Sequence, residues 1–322
     1  MSLSLLQRPP IADNCRVNSL WSKTSRTLST RALSSLCNSR IPFVHLVTSW
    51  KQSANTKAPT TTEESGVVIT IRYGRHTDVG KVRRENQDSV GMTPDTLTGL
   101  EGPKGVLFVV ADGMGGHRAG RRASELAVST ILETYESAPQ ATIPGLLLSA
   151  MTEANTRVFD EGSRVPAYNA MGTTCSVLVV QDSSAWIGHI GDSKIFLVTP
   201  ADIRQLTTDH SRVWELYVRG VITKEQARVH PERNLLTRAL GTRPELEADI
   251  SGPLALLAGS RLVMCTDGLT NHVEEEDIRR VVETSPPQEA AEALVALANE
   301  RGGTDNITVQ IIELVFPTGI PA

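Results

Sequence analysis

The sequence predicts an α+β fold in which β-sheets pack on one another and α-helices lie outside. Predicted strands outnumber predicted helices, and they come in consecutive groups with helices in pairs between them. A continuous apolar run at 106–111 is typical of a strand buried on both faces, and 307–314 alternates apolar side chains. This order favours layered sheets over a doubly wound parallel sheet, in which strands and helices alternate.

The first half of the domain is organised around an acidic, glycine-rich turn. Asp112 follows the apolar run at once, and the glycines after it allow backbone conformations that other residues resist. The preceding stretch 81–90 is a charge cluster. The predicted elements are a strand at 67–72, a turn-rich stretch at 74–80, the strand at 106–111, a helix after Gly120 and a helix at 141–160.

The second half repeats the arrangement of strand, aspartate and turn at Asp192 and Asp267. A long polar stretch at 206–241 lies between strands and is more typical of a lid or recognition element than of a core. The predicted elements are strands at 172–180, 185–190, 195–198, 262–265 and 307–314, and helices at 211–219, from Thr223, from 274–277 and at 289–300.

Composition excludes several classes of partner. The net charge of −4 and the pI near 6.0 argue against a general affinity for nucleic acid or an anionic membrane. No apolar run has the length of a membrane span. The four cysteines lack metal or redox spacing, which fits a reducing compartment and a cytoplasmic protein.

Residues 1–62 differ from the rest of the chain. They are rich in Ser, Thr and Arg and contain a single acid, Asp13. This bias is typical of an organelle transit peptide, which would place the protein in an organelle. A disordered tail and a start codon assigned too far upstream are the alternatives. We therefore divide the chain into an extension at 1–62 and a domain at 63–317.

Four aspartates at the ends of apolar strands suggest one shared site. Asp112, Asp192, Asp267 and Asp305 would repel one another unless cations held them. Oxygen ligands favour hard ions such as Mg²⁺ or Mn²⁺, and no Cys/His cluster points to zinc. Two such ions about 3.5–4 Å apart would generate hydroxide at neutral pH and stabilise an in-line displacement.

An ordered set of motifs over about residues 67–315 resembles the metal-dependent type 2C Ser/Thr protein phosphatases in their bacterial-type form. Any one motif is weak, but the ordered set is highly specific. The motifs are Arg83-(Arg-Glu)-Asn86-Gln87-Asp88, Asp112-Gly-Met-Gly-Gly-His, Gly172-Thr-Thr, Gly191-Asp-Ser, Leu206-Thr-Thr-Asp-His-Ser, Asn234-Leu-Leu-Thr-Arg-Ala-Leu-Gly, Thr266-Asp-Gly-Leu and Asp305-Asn-Ile-Thr.

The resemblance implies a sandwich of two antiparallel β-sheets flanked by α-helices, with a dimetal site at one end of the strands. Asp112 corresponds to the carboxylate that bridges both ions, and the carbonyl of Gly113 to a ligand of one of them. Asp267 and Asp305 correspond to ligands of the other ion. Asp88 belongs to the same cluster, partly through water.

Three further positions carry expectations from the resemblance. Arg83 stands where the family places its phosphate-binding arginine, which suits the match between guanidinium and phosphate oxygens. Asp192 corresponds to a ligand of a third, weaker metal ion, shared with Asp267. Met114 stands where animal relatives have a histidine proposed as general acid, so that role is vacant, with His117 nearby as one candidate.

The resemblance implies a Mg²⁺- or Mn²⁺-dependent phosphatase that hydrolyses phosphoserine and phosphothreonine by direct attack of a metal-bridging hydroxide. Its expected partners are phosphorylated proteins and a Ser/Thr kinase in a signalling role, and it is expected to be a monomer. Two alternatives are a hydrolase of small phosphoesters that uses the same ions and a regulatory pseudophosphatase that has lost turnover.

Overall fold

The computed structural model describes residues 69–94, 104–139 and 141–316. The extension predicted at 1–62 lies outside these residues, as do the first two positions of the strand predicted at 67–72. All described residues therefore belong to the domain predicted at 63–317.

Eleven strands within the described residues form two sheets, and every strand pair is antiparallel. The strands are β1 Thr70–Asp78, β2 Asp88–Thr93, β3 Val106–Met114, β4 Gly172–Thr173, β5 Cys175–Gln181, β6 Ser184–Ile190, β7 Lys194–Val198, β8 Ile203–Gln205, β9 Asp249–Ala255, β10 Arg261–Cys265 and β11 Ile307–Val315.

The first sheet has the order β1-β11-β10-β7-β8, and the second has the order β2-β3-β5-β6-β9, with β4 paired to the end of β3. Apolar side chains from both sheets, such as Phe108, Leu178 and Ile312, pack into one buried layer. The predicted sandwich of two antiparallel sheets is therefore confirmed.

One polar side chain joins the two sheets inside this layer. Gln310 of β11 is fully buried. Its Nε2 donates to the carbonyl of Val109 in β3 at 2.8 Å, and its Oε1 accepts from the hydroxyl of Tyr73 at 2.6 Å. Both ends of the amide are thus satisfied, which removes the cost of burying it.

Helices cover the outer faces of both sheets. Leu107, Val109 and Ala111 of β3 pack against α1 and α2, whereas Phe108 and Val110 face the other sheet, so both faces of β3 are buried as predicted. Helices α6 and α7 cover β10 and β11 in the same way. The helices are α1 His117–Ser137, α2 Ile143–Arg164, α3 Arg212–Val218, α4 Lys224–Arg228, α5 Asp267–Thr270, α6 Glu275–Thr284 and α7 Pro287–Glu300, with a 3-10 turn at Pro166–Tyr168.

Two strands extend beyond their predicted ends. β1 continues to Asp78, through the stretch predicted as turns, because it pairs with β11 along its whole length. β3 continues past Asp112, because Gly113 and Met114 pair with β4. Asp112 therefore lies inside a strand and not in the turn after it.

The sequence reasoning missed three strands, β2, β8 and β9. The first residues of β2 belong to the charge cluster at 81–90, and β8 has only three residues. β9 is an edge strand that pairs with β6 only, and five of its seven residues are exposed, so it lacks an apolar pattern. No helix in the described ranges is both long and apolar enough to cross a membrane.

Candidate active site

The structure brings five predicted aspartates to one end of the two sheets. Asp88 and Asp112 face each other across β2 and β3 of the second sheet. Asp267 follows β10 of the first sheet and begins α5, and Asp305 lies two residues before β11 of the same sheet. Asp192 lies in the turn between β6 and β7, where the chain passes from one sheet to the other. We call these five residues the carboxylate cluster.

A cavity of about 560 Å³ opens over this cluster. Four of the five aspartates line it, all except Asp88, and Arg83 lies on its wall. Its remaining lining comes from the chain before β2, from the end of β3 and the two residues after it, from the residue between β4 and β5, and from the stretch 206–241. These residues are Val82, Arg84, Glu85, Gln87, Gly113, Met114, Gly115, Gly116, Thr174, Asn234, Leu235 and Leu236.

The backbone of Asp112 is held by two threonines of the neighbouring strands. Its N–H donates to the hydroxyl of Thr174 at 2.9 Å, and its carbonyl accepts from the Thr173 hydroxyl at 2.8 Å and from the Thr174 N–H at 2.9 Å. The Thr174 hydroxyl also lies 2.7 Å from that of Ser193, beside Asp192. These bonds fix Asp112 relative to the turn that carries Asp192.

The side chain of Asp88 is oriented by two threonines of the first sheet. Its Oδ2 accepts from the hydroxyls of Thr266 at 2.9 Å and Thr308 at 2.7 Å. The second oxygen, Oδ1, is buried without a hydrogen-bond partner among the described residues, and so is Oδ1 of Asp267. A buried carboxylate oxygen with no donor is costly, so both atoms suit a cation.

Burial and crowding raise the pKa of these carboxyl groups. The pKa of Asp88 rises to about 7 and that of Asp192 to about 8, because burial disfavours the charged forms and Asp267 lies close to both. Burial also raises the pKa values of Asp112 and Asp267, helped by the charge of Asp88 at Asp112 and of Asp305 at Asp267. Cations at this position would reverse the effect, since they favour the ionised carboxylates.

The donor set fits hard divalent ions. It consists of carboxylate oxygens with no thiol or imidazole among them, which is the preference of Mg²⁺ and Mn²⁺. In the described part of the chain, no three Asp, Glu, His or Cys side chains are grouped closely enough to hold one ion. Hydrogen bonds hold Oδ2 of Asp88 and Oδ2 of Asp305, so ligation requires the cluster to close further around an ion.

Gly113 approaches the first turn of α1 too closely for any side chain. A Cβ there would lie 2.0 Å from the carbonyl oxygen of Gly120. The Gly113 N–H donates to the carbonyl of Gln87, next to Asp88, at 3.1 Å. The glycine thus ties β3 to the chain that enters β2 and brings the main chain to the cavity. Its role as a metal ligand stays a prediction.

Arg83 lies on the cavity wall and is paired with a member of the carboxylate cluster, and its role in phosphate binding stays a prediction. Its Nη2 forms an ion pair with Oδ2 of Asp305 at 2.7 Å. Met114 also lines the cavity and supplies no proton donor there. The side chain of His117 lies outside the described part of the structure.

Sequence reasoning missed several residues that position the cluster. Thr266 and Thr308 stand in the quoted motifs, but no role was assigned to them. Asn306 accepts from the N–H of Gln87 at 2.9 Å and donates to two backbone carbonyls, so it fastens the chain before β2 to β11. Lys194 pairs with Asp209 at 2.6 Å behind Asp192. The signal in the sequence that could have identified these positioning residues is a polar side chain at the end of an otherwise apolar strand.

Comparison with known proteins agrees with this geometry. A family model described as protein phosphatase 2C matches residues 83–299. The protein phosphatase PhpP of Streptococcus pneumoniae is 36% identical over 241 residues, which cover 74% of this chain and 95% of PhpP. The serine/threonine phosphatase stp of Listeria innocua is 35% identical over 242 residues, which cover 74% of this chain and 93% of the relative.

Solved structures match over the same region. The Mycobacterium tuberculosis serine/threonine phosphatase PstP/Ppp superposes with a TM-score of 0.68 at 32% identity and covers 76% of this chain and 99% of its own. The catalytic domain of PstP in complex with two manganese ions gives a TM-score of 0.67 at 31% identity, covering 77% and 99%. Since the family model spans more than half of the chain and these relatives are covered almost end to end, the chain belongs to the protein phosphatase 2C family.

Proposed function

We propose that this chain is a metal-dependent protein serine/threonine phosphatase. The observation that carries the proposal is the convergence of five aspartates, from five separate positions in the chain, around one cavity that also holds Arg83. Relatives named as serine/threonine phosphatases share this fold and cover the whole domain.

The residues of the cavity have different proposed roles in hydrolysis. Bound Mg²⁺ or Mn²⁺ supplies a nucleophilic water at neutral pH and neutralises charge on the phosphoryl group. The carboxylate cluster would hold the ions, with Thr266 and Thr308 orienting Asp88. Arg83 would bind phosphate oxygens. A water oxygen forms the new bond to phosphorus as the ester bond breaks; one of the two water protons stays with the released phosphate, and the other balances the proton that the serine or threonine oxygen takes up.

Two cysteines and Ser193, which are potential nucleophiles for a phosphoenzyme, are unsuited to that role. Burial raises the pKa of the Cys175 and Cys265 thiols to about 12, so both are protonated at neutral pH and cannot attack. Ser193 is fully buried and hydrogen-bonded to Thr174. Direct attack by water therefore remains the route that we propose.

An assay of Mn²⁺-dependent phosphate release tests this function. We expect the protein to hydrolyse a phosphothreonine peptide much faster than a nucleotide, and chelation should abolish both reactions. Preference for the nucleotide would favour the alternative of a small-phosphoester hydrolase. A folded, metal-loaded protein without turnover on either substrate would favour the pseudophosphatase.

The segment 206–241 is the proposed substrate-contacting flap. Its C-terminal end is built into the core, since Leu240 is fully buried and pairs with Thr173. Its middle projects as α3 and α4, and Asn234, Leu235 and Leu236 reach the cavity. Five of the eight exposed large apolar side chains among the described residues belong to it. These five are Tyr217, Val218, Val221, Val229 and Leu235.

We expect a triple change of Val218, Val221 and Val229 to serine to reduce activity on a phosphoprotein much more than on a small aryl phosphate, because only the larger substrate reaches these side chains. The measurement is kcat/KM on both substrates. Leu148→Ser with Leu257→Ser, two exposed apolar residues elsewhere, is the matched control. Equal losses on both substrates would mean that the flap supports the core instead.

For Asp192 we propose a third, weaker metal site shared with Asp267. The alternative is an aspartate that only caps the turn before Ser193. An ion with few protein ligands keeps several waters, exchanges readily, and could orient a water that protonates the leaving alkoxide. This would compensate for Met114, which has no proton to donate.

We expect Asp192→Ala to keep two tight metal sites, to weaken one further site, and to slow hydrolysis most for poor leaving groups such as phosphoserine. Metal titration and rates on substrates of graded leaving-group pKa measure these effects. A uniform loss across leaving groups with unchanged metal stoichiometry would leave only the role in the turn.

We further propose that the substrates are proteins phosphorylated by a Ser/Thr kinase, and that the enzyme works as a monomer in the cytoplasm. The unpaired, buried state of Cys175 and Cys265 supports a reducing compartment. Fusion of residues 1–62 to a fluorescent protein tests the alternative of organelle targeting, and light scattering tests the monomer.

A further inference from the structure

Both carboxylate oxygens of Asp305 already have partners in the protein. Oδ2 accepts from Arg83 at 2.7 Å, and Oδ1 accepts from the N–H of Asn306 at 2.8 Å. A cation that binds Asp305 must share one of these oxygens with an existing partner, because each oxygen already accepts one hydrogen bond.

The two partners differ in how easily they can leave. The Asn306 N–H is fixed, because the Asn306 side chain is bonded to the backbone of Gln87, Val79 and Glu85. The Arg83 side chain is long and its exposed fraction is 48%, against 19% for Asp305. Arg83 is therefore the group that moves when a cation takes Oδ2, and electrostatic repulsion between the two cations favours the same outcome.

Two purposes compete for the guanidinium of Arg83 in its present position, the ion pair with Asp305 and the binding of phosphate. It offsets the negative charge of Asp305, and the charges of Asp112 and Asp267 also act on it. A guanidinium paired with a carboxylate in this way has fewer free N–H groups to offer a phosphate. An arginine that only bound phosphate would leave metal affinity largely intact when replaced, but this pair changes that expectation.

We propose that Arg83 and the metal ion compete for Asp305, so that Arg83 is released to bind phosphate only after metal binding. The inference rests on the proposed function, because it takes Asp305 as a metal ligand and Arg83 as the phosphate ligand. It gives the site an order of assembly: metal first, phosphate second.

Arg84 provides a matched control. It is the next residue, carries the same charge, is exposed and lines the same cavity. Unlike Arg83, it forms no hydrogen bond or ion pair with any residue that the structure describes. Removal of either arginine lowers the positive charge near the cluster, but only removal of Arg83 frees Asp305.

Calorimetric titration of the metal-free protein with Mn²⁺ tests the competition. We expect Arg83→Ala to bind Mn²⁺ roughly two- to tenfold more tightly than wild type, because a partly exposed ion pair no longer has to be broken. Arg84→Ala should change the affinity by less than about twofold. Equal tightening in both variants would reduce the effect to general electrostatics, and unchanged or weaker binding in Arg83→Ala would overturn the proposal.

Binding of inorganic phosphate tests the order of assembly. We expect Arg83→Ala to lose roughly tenfold in phosphate affinity in the Mn²⁺-loaded protein and much less in the metal-free protein. The same loss in both states would overturn the ordering. If wild type with Mn²⁺ hydrolyses a phosphothreonine peptide but the Mn²⁺ and phosphate affinities of Arg83→Ala differ from these expectations, only this inference is wrong. If wild type does not hydrolyse the peptide, the proposed function itself is wrong.

Discussion

Asp112→Asn is expected to fold normally and to lose metal-dependent hydrolysis by at least about 100-fold. Even residues that only orient metal ligands typically cost about 10–100-fold when replaced, and Asp112 is the predicted bridge between two ions. The amide has nearly the same shape as the carboxylate. The backbone bonds of Asp112 to Thr173 and Thr174 do not involve the side chain and should persist.

The measurement is turnover of a small aryl phosphate across a Mn²⁺ titration, with circular dichroism to check folding. Asp160→Asn, a change of an exposed carboxylate on α2, is the control for loss of charge alone. Near-normal turnover by folded Asp112→Asn would contradict the dimetal site.

The second large effect is expected in the stability of the metal-free protein. The carboxyl groups of Asp88 and Asp192 have an ordinary pKa of 3.8, and in the folded protein these values rise to about 7 and about 8. Between these limits the folded state binds more protons than the unfolded state at these two groups, and the raised pKa values of Asp112 and Asp267 act in the same direction. The lowered pKa values of buried His189 and His210 oppose this trend only below about pH 6.5. The free energy of unfolding should therefore fall as pH rises from about 4 to about 8.

In a chelator, the melting temperature should drop by at least about 5 °C between pH 5 and pH 8, and Mn²⁺ should restore it at pH 8. Asp112→Asn removes one of the crowded charges, so its metal-free form should be more stable than wild type at pH 8. Differential scanning calorimetry measures both effects. A melting temperature that is constant or rises over this range in the chelator would show that the carboxylates are not crowded.

The parts of the fold that the sequence predicted well are those whose apolar pattern is local. The run at 106–111 predicted a strand buried on both faces, and Thr223 predicted a helix start that the structure shows as a full capping box. The C-terminal end of β1 was predicted too early, because a glycine such as Gly74 is typical of a turn. In the structure this glycine lets β1 pass against α7, where a Cβ would lie 2.2 Å from the backbone of Gln288.

The candidate site was predictable in its members but not in its internal contacts. Repetition of the pattern of strand, aspartate and turn indicated Asp112, Asp192 and Asp267, and the start of the last strand indicated Asp305. Asp88 and Arg83 were identified only through the resemblance to the family. The pairing of Arg83 with Asp305 joins residues 222 positions apart, and the hydrogen bond of Thr308 to Asp88 joins residues 220 positions apart. No local pattern specifies such contacts, because they depend on how the two sheets stack.

The buried amide of Gln310 ties this stacking to the site. It bonds β11 to β3, and these strands lead directly to Asp305 and Asp112. Any shear of one sheet over the other would break this bond and change the spacing of the two aspartates in the same motion. Substitutions in the core are thus under selection for catalysis as well as for folding. A core substitution that lets one sheet shift over the other would abolish catalytic activity while the chain still folds.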